Sequence, residues 1–408
     1  MTMTSLDATN VPLHELVPGI RVHEIVTASI PGHVSELLVH AASSRSSVIP
    51  FGGKRSIATG NRIEAAHYGL DLTGLRGVIA YEPADLTISV WAGTPLAELQ
   101  AVLGEHGQEI PIDAPHPDQT TIGGLVATGF AGPRRLRSGS LRDLLIGCAY
   151  VRGDGLAAKA GGMVVKNVSG FEIPRFLHGS WGALAVLTSV NLKVTPRPRT
   201  EGTVVGAFPD IATATNAGHA LIASNQAIQA CVAFRRGRVF AVAVRAMGRA
   251  AAVNETMTST VTAVGDSVEH LEGNQSMEFW QELVNRFAEN PDRIVLAIGA
   301  RPRDIATLAA EVDSVFGEMD GVETMVSPGL GVMRVSLPAP DDGVGPMIEA
   351  IVSIATDHGA SWVLESAPPS LRSLAPPWGP VPEGVDLMRS VKREFDPAGI
   401  LNPGRLFV

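Results

Sequence analysis

"PFGGKRS" fills residues 50–56, directly after the short β-prone run "SVI". A strand that runs into paired glycines and then two cations has a specific physical use. Gly52 and Gly53 remove side chains where a ligand must approach the backbone, and successive N–H groups there can form an anion-binding nest. Lys54 and Arg55 add positive charge. A second loop, "PHPDQTTIGGLVATG" at residues 115–129, offers two hydroxyls, a Gly–Gly pair and small residues entering a helix, which also suits phosphate oxygens. Alone, either loop reads equally as an ordinary tight turn. Two in this order, separated by the strands of "DLTGLRGVIAYEPADLTISVWAG", are far more specific.

These loops do not form a nicotinamide-type fingerprint. The best match to that pattern is "GDGLAA" at residues 153–158, after the strand "LIGCAYV". The fingerprint needs a helix immediately afterwards, so that its N-terminus meets the pyrophosphate. Lys159, Gly161 and Gly162 follow instead, and "RGDG" reads as a hairpin turn.

Around the loops the chain reads as mixed α and β. "SIPGHVSELLVHAASS" predicts an amphipathic helix with Val34, Leu37, Leu38 and Ala41 on one face. "TPLAELQAVLGEHG" predicts a helix with Thr94 as N-cap and Pro95 at its first position. A seam falls at "KVTPRPRTEG". Beyond it, strands alternate with helices up to "ASWVLESAP", then come a proline-rich loop, the helix "VDLMRSVKREF" and the tail "DPAGILNPGRLFV". The sequence displays no internal repeat.

The totals narrow the function. With 408 residues, 45% of them hydrophobic and 18% charged, the chain can build two soluble domains. Its 41 acidic against 32 basic residues give −9, which argues against nucleic acid or anionic lipid as a partner. No run is long enough to insert directly into a membrane, and the leader lacks signal-peptide order. The expected compartment is the cytoplasm, with any membrane association coming through partners. Cys148 and Cys231 are the only cysteines, too few to ligate an iron–sulfur cluster.

The stretches "PFGGKRS", "VWAGTPLAELQAVLGEHGQEIPIDAPH", "IGGLVATGFAGPRRLRSGSLRDLLIG", "GGMVVKNVSGFEIPRFLHGSWGALAVLTSVNLKVTPRP" and "FDPAGILNPGRL" resemble the FAD-linked oxidase family, which shares the vanillyl-alcohol-oxidase (PCMH-type) flavin domain. Within it they are most similar to the FAD-binding subunits of bacterial glycolate oxidases. The resemblance implies an α+β fold: a two-lobed FAD domain (1–198), an α+β cap (199–374) and a C-terminal segment (375–408) that packs back on the FAD domain. It assigns Pro50, Phe51, Gly52, Gly53, Lys54, Arg55 and Ser56 to the first pyrophosphate loop. Pro115, Thr120, Thr121, Ile122, Gly123 and Gly124 fall in the second. Ser138, Gly139, Arg142 and Asp143 would lie beside the ribityl–pyrophosphate region, Val186 near the adenine, and Asn402 and Arg405 at the closing tail, unless "DPAG" and "NPG" serve only as turns. The polar residues of "VVKNVSGFEIPRF" would face the flavin. Phe171 and Glu172 stand where Tyr–Asp is usual, and Ala185 replaces a common glycine. Lys54 occupies the place of the flavin-linking histidine of covalent members, so the FAD is expected to be noncovalent.

Dehydrogenating a 2-hydroxy acid further needs a cation for the carboxylate and a base for the hydroxyl proton. Arg134, Arg135, Arg334 and Arg372 are candidate cations, and Arg334, alternating with apolar neighbours in "VMRVSLP", either meets the ligand or faces solvent. Bases are scarce. His116 and His178 lie in flavin-proximal motifs and are the candidates, while His358 reads as a helix-terminal residue on the last carbonyls. No H-x-x-H or H-x-H metal pair occurs. The expectation is an FAD-carrying subunit that passes electrons from a catalytic flavoprotein subunit to an iron–sulfur subunit. The alternatives are a stand-alone oxidase or dehydrogenase of a hydroxy acid, alditol or lactone, and a structural subunit that has lost flavin.

Overall fold

The structure, a computed structural model, describes residues 13–407 except 62, 164–170, 225–226, 266–267, 340–343 and 373–374. Its first lobe is a four-stranded sheet of β1 (His14–Val17), β2 (Ile20–Thr27), β3 (Val48–Phe51) and β4 (Ala65–Asp71), in the order β1-β2-β4-β3. Helix α1 (Pro31–Ser44) makes the crossover between β2 and β3, starting on Pro31 and ending where Arg45 turns left-handed (φ 54°). Its apolar stripe, Val34, Leu37, Leu38 and Ala41, shares one buried cluster with Leu70 of this lobe and with Val151 and Val186 of the next. One helix thus joins both lobes, by burial of apolar area at about 25 cal/mol per Å².

The second lobe contains β5 (Val78–Glu82), β6 (Thr87–Trp91), α2 (Leu96–Gly104), β7 (Gln108–Glu109), α3 (Ile122–Thr128), α4 (Arg135–Ser138), α5 (Leu141–Leu144), β8 (Leu145–Arg152), β9 (Ala157–Gly161), α6 (Ile173–Leu177) and β10 (Ala185–Lys193). Its sheet runs β5-β6-β10-β8-β9, every pair antiparallel. β8 and β9 are the hairpin read from "RGDG", with Gly155 at φ +83°. The start of α2 differs from the sequence reading. Pro95 is the N-cap, in an extended conformation, and no side chain caps the helix. The Thr94 hydroxyl is engaged elsewhere: it accepts from the Gly77 N–H (2.9 Å) and faces the Gly77 carbonyl (3.3 Å), which ties the helix entry to the start of β5.

A short strand, β11 (Thr195–Pro196), pairs with β7 before the chain enters the cap. There β12 (Thr200–Phe208), α7 (Ile211–Ser224), β13 (Ile228–Arg236), β14 (Val239–Gly248), α8 (Ala250–Val264) and β15 (Val268–Glu272) form one β-α-β-β-α-β unit, followed by α9 (Asn274–Asn285). β16 (Arg293–Gly299), α10 (Ile305–Val315), β17 (Glu323–Ser327), β18 (Val332–Pro338), α11 (Val344–Asp357) and β19 (Ser361–Ser366) form a second. The eight-stranded order β15-β12-β14-β13-β17-β18-β16-β19 makes each unit a split-βαβ sheet, and β13 joins them by pairing with β17. The cap is therefore an internal repeat of topology. It left no trace in the sequence because alternation and helix length set such a unit, not residue identity.

Helices α7, α10 and α11 cover one face of this sheet through Leu221, Leu308, Val312 and Ile351. Helix α9 covers the other through Trp280 and Leu283. α9 also reaches the second lobe, with the Gln281 amide donating to the Ala114 carbonyl (3.0 Å) and Asn285 accepting from the His116 N–H (2.9 Å). Beside it Arg245 of β14 pairs with Asp113 (2.8 Å) and Glu201 (2.9 Å), all three side chains being buried. Substituting Arg245→Met leaves two buried carboxylates without their cation and should cost about 2–4 kcal/mol. Arg76→Met, which breaks a half-exposed pair with Glu98, should cost under about 1 kcal/mol. Urea denaturation of the two variants checks the contrast.

After helix α12 (Val385–Phe395) the tail returns to the first lobe, where Leu401 bridges Val48 and the Ile400 carbonyl accepts the Val48 N–H (2.8 Å). A buried ion pair fixes this return. Lys392 donates to Asp396 and to the carbonyls of Ala183 (2.6 Å) and Leu401 (2.8 Å). Asp396 in turn accepts the N–H groups of Ile400 (3.1 Å) and Leu401 (2.8 Å).

Candidate functional site

Between the two lobes lies a cleft of about 1020 Å³, partly open to solvent. Its floor is apolar, built by Ile49, Leu125, Val186 and Leu187, and Phe130 forms part of the wall. Residues 50–56 run along one side and Thr120, Thr121, Gly123 and Gly124 along the other, with Asn402 and Arg405 closing the end.

The glycines of the first loop act differently from the sequence reading. A Cβ on Gly53 would stand 1.7 Å from the Gln119 carbonyl oxygen, and one on Gly52 2.4 Å from the Thr121 hydroxyl. Their missing side chains admit the second loop, not a ligand, and the contact between the loops shapes the cleft. The second loop then directs its own polar groups inward. Thr120 donates to the Pro115 carbonyl (2.6 Å), Thr121 accepts from the Gly124 N–H (3.2 Å), and the Gly123 N–H donates to the Ala92 carbonyl (2.7 Å). In the first loop, by contrast, none of the N–H groups of residues 52–56 has an acceptor among the described residues. Lys54 sits at φ +58°, the left-handed step that turns successive N–H groups to one side.

At the closed end Asn402, itself at φ +43°, donates through Nδ2 to the Trp181 carbonyl (2.8 Å). Its Oδ1 is buried and has no partner among the described residues. Arg405 is 2% exposed, donates to the Thr59 carbonyl (2.7 Å) and has no carboxylate at ion-pair distance among the described residues. Burial and the neighbouring Arg372 bring its guanidinium down to about 10, against the opposing pull of Glu289.

The other sequence candidates lie elsewhere. Ile122 is in the core beneath the cleft. Ser138, Gly139, Arg142 and Asp143 lie at the α4–α5 turn, where Ser140 and Asp143 form a capping box, and none of them lines the cleft. Arg134 is buried against Glu109. Arg334 neither faces solvent nor meets the cleft as a free charge. It is mostly buried, paired with Glu365 through 2.9 and 3.1 Å contacts, and stacks over Phe130. β16 lies between their strands, so that the two side chains share one face. His116 borders a neighbouring cavity, and burial followed by Arg55 lowers its pKa. His178 is half-buried beyond α3, also lowered by burial, with Nε2 unpartnered among the described residues. His358 meets Glu311 (3.0 Å) instead of the last helix carbonyls. Lys166 and Asn167 of "VVKNVSG" lie outside the described residues. Sequence reasoning missed Trp181 in the wall, and Trp378, packed edge-on against it (centroids 5.1 Å apart) while donating to the Arg405 carbonyl.

Two family models match the chain: the FAD binding domain over residues 23–161, and the FAD linked oxidases C-terminal domain over residues 380–406. The Escherichia coli (strain K12) glycolate oxidase subunit GlcE is 45% identical over 131 residues, 32% of this chain. That match spans 37% of GlcE, little more than a third of it. The Xanthomonas citri pv. viticola D-2-hydroxyglutarate dehydrogenase is 25% identical across 93% of this chain and 88% of its own. The Bacillus subtilis (strain 168) glycolate oxidase subunit GlcD is 21% identical across 99% and 91%. Among solved structures, the xylooligosaccharide oxidase of Myceliophthora thermophila C1 superposes with a TM-score of 0.73 at 16% identity, over 97% of this chain and 96% of that one. An alkyldihydroxyacetonephosphate synthase gives 0.71 at 16% identity, over 93% and 76%.

The cleft suits FAD. Free N–H groups on a left-handed turn, a buried unpartnered Asn402 oxygen, a buried cation and an apolar floor match a long dinucleotide with an anionic middle and a flat ring. The chain carries an FAD binding domain and the C-terminal domain of FAD linked oxidases, has the PCMH-type fold of its structural neighbours, and uses FAD as its cofactor.

Proposed function

We propose that this protein is the FAD-carrying subunit of a glycolate or related 2-hydroxy-acid dehydrogenase complex, and that it relays electrons from a catalytic flavoprotein subunit to an iron–sulfur subunit. The 45% identity with a glycolate oxidase subunit carries this reading. Cys148 and Cys231 agree with it: both are buried, and burial pushes their thiols up to about 12, so neither offers a thiolate for onward electron transfer within the chain. Residues 1–198 would hold the FAD noncovalently, 199–374 would cap it, and 375–408 would close the site, in a cytoplasmic protein. No helix among the described residues is long and apolar enough to cross a membrane.

Bound FAD would supply a carrier that takes two electrons together and returns them singly. The chain's own part is positional. The N–H groups of residues 52–56 would bind the pyrophosphate, Asn402 Oδ1 would accept from the flavin, Arg405 would balance negative charge, and Phe130, Leu125 and Leu187 would exclude water. The match to D-2-hydroxyglutarate dehydrogenase over most of both chains favours a second reading, a dehydrogenase that meets its own substrate.

Anaerobic mixing separates the two. The FAD-loaded chain with glycolate or D-lactate should keep its oxidised spectrum alone and bleach when the catalytic flavoprotein subunit is added. Bleaching by the hydroxy acid alone would replace the relay with the second reading.

A further inference from the structure

Glu289, just beyond α9, sits where the cap meets the first loop. It lines two cavities beside the flavin cleft, and Arg55 lines both of these and the cleft itself. Glu289 is mostly buried. Its Oε2 accepts the Ala58 N–H (3.4 Å), and its main-chain carbonyl accepts from the Arg55 guanidinium (3.4 Å). The neighbouring residue, Thr59, gives its carbonyl to Arg405 (2.7 Å), which closes the end of the cleft. Residues 55–59 therefore hold one carboxylate near two cations that also border the space suited to FAD. Among the described residues, neither these two cations nor the Glu289 carboxylate has an opposite charge at ion-pair distance. The charge of Glu289 is thus balanced at longer range, in part by cations that the cofactor must share.

We propose that Glu289 is a positioning residue of the flavin site that takes up one proton from solvent as FAD binds, so that the cofactor is held more tightly at pH 6 than at pH 8. The inference rests on the diphosphate lying against the first loop, as proposed above, and holds for either reading of the flavin's function. The diphosphate brings two negative charges to Arg55 and Arg405 and cancels part of the field that keeps Glu289 ionised. At an effective dielectric of about 20, a unit charge roughly 10 Å away changes a carboxyl's protonation equilibrium about tenfold. The free carboxyl is already poised: burial raises it to about 7, opposed by Arg372, the Ala58 N–H, Arg55 and Arg405. Lys54 and Arg372 face it from one cavity, and His116, Arg286, Arg293 and Glu323 from the other. Burial and Arg55 lower His116, which leaves it neutral at pH 7 and above. The proton balance is one per FAD at most, onto a Glu289 oxygen, with no change of oxidation state. Below about pH 7 Glu289 is already protonated and binding takes up little; above it uptake is largest, and affinity falls as pH rises.

The test is calorimetric titration of the full-length, flavin-stripped protein with FAD at pH 6, 7 and 8, in buffers of different ionisation enthalpy. The diphosphate of FAD is fully ionised throughout this range. FAD should bind roughly five- to tenfold more tightly at pH 6 than at pH 8. Uptake should be roughly half a proton per FAD at pH 7 and 8, falling towards none at pH 6. Glu289→Gln, which keeps an acceptor for the Ala58 N–H, should bind FAD at pH 8 about as tightly as the wild type does at pH 6, without uptake. A merely structural role predicts weaker binding by this variant at every pH, and that result would overturn the proposal. His116→Gln should retain the wild-type uptake; its loss there would assign the proton to the histidine and overturn the proposal too. Wild-type binding that takes up no proton from pH 6 to pH 8 would overturn it and leave the flavin cleft standing. Protein that binds no FAD at any pH would overturn it together with the flavin site itself.

Discussion

Gly53→Ala should strip the protein of flavin. The new methyl carbon would start 1.7 Å from the Gln119 carbonyl oxygen, which is backbone and cannot rotate away. Either the first loop withdraws or the second does, and the two walls of the cleft separate. A forced backbone shift in a packed region costs typically 1–3 kcal/mol and occasionally more. The loss of FAD affinity should be larger than the loss of stability suggests, at least about a hundredfold, because the displaced loop carries the free N–H groups. Gly162→Ala is the control, since nothing lies within 4 Å of an added Cβ there. Flavin content after gel filtration and a thermal melt of both variants give the answer. A Gly53→Ala protein that retains flavin like the control would mean that the two loops do not set the cleft.

Asp396→Ala should be among the most destabilising single changes in the chain, at about 3–5 kcal/mol. It removes the counter-charge of Lys392, which is buried, and it removes the acceptor of two buried N–H groups, those of Ile400 and Leu401. Breaking a buried pair from one side leaves an uncompensated charge, which costs far more than the pair was worth. The effect should extend to function, because the same turn delivers Asn402 and Arg405 to the cleft. Denaturant unfolding checks the first part and FAD titration the second. Glu394, three-quarters exposed next to this turn on the same helix, should tolerate alanine within about 0.5 kcal/mol, despite its loose contact with Arg152.

How much of this could be read beforehand depends on whether the information was local. The strand–Gly–Gly–cation run, the "RGDG" hairpin and the C-terminal "NPG" turn are set by φ requirements and alternation, and each stands where the sequence placed it. The partner of each glycine was not local: Gly53 needs Gln119 and Gly52 needs Thr121, more than sixty positions away. Nor was Arg334, whose alternation in "VMRVSLP" suited a solvent-facing or a ligand-facing side chain until Glu365 appeared two strands over. Glu289 escaped notice because "FAENPDR" reads as the fraying end of a helix. It acquires its environment from residues 55, 58, 372 and 405, none of them near it in sequence. The repeated β-α-β-β-α-β plan of the cap escaped for a different reason, since topology can recur without any recurrence of residues.

The most direct test of the whole account is the visible absorption spectrum of the purified full-length chain after incubation with FAD and removal of the excess. Oxidised-flavin bands should stay with the protein through gel filtration and pass into the supernatant on acid precipitation, since the resemblance to the FAD-linked oxidases puts Lys54 in the place of the linking histidine of covalent members. Bands that remained with the precipitate would contradict noncovalent binding. A colourless protein would contradict the central claim, that the cleft between the two lobes is built to hold FAD.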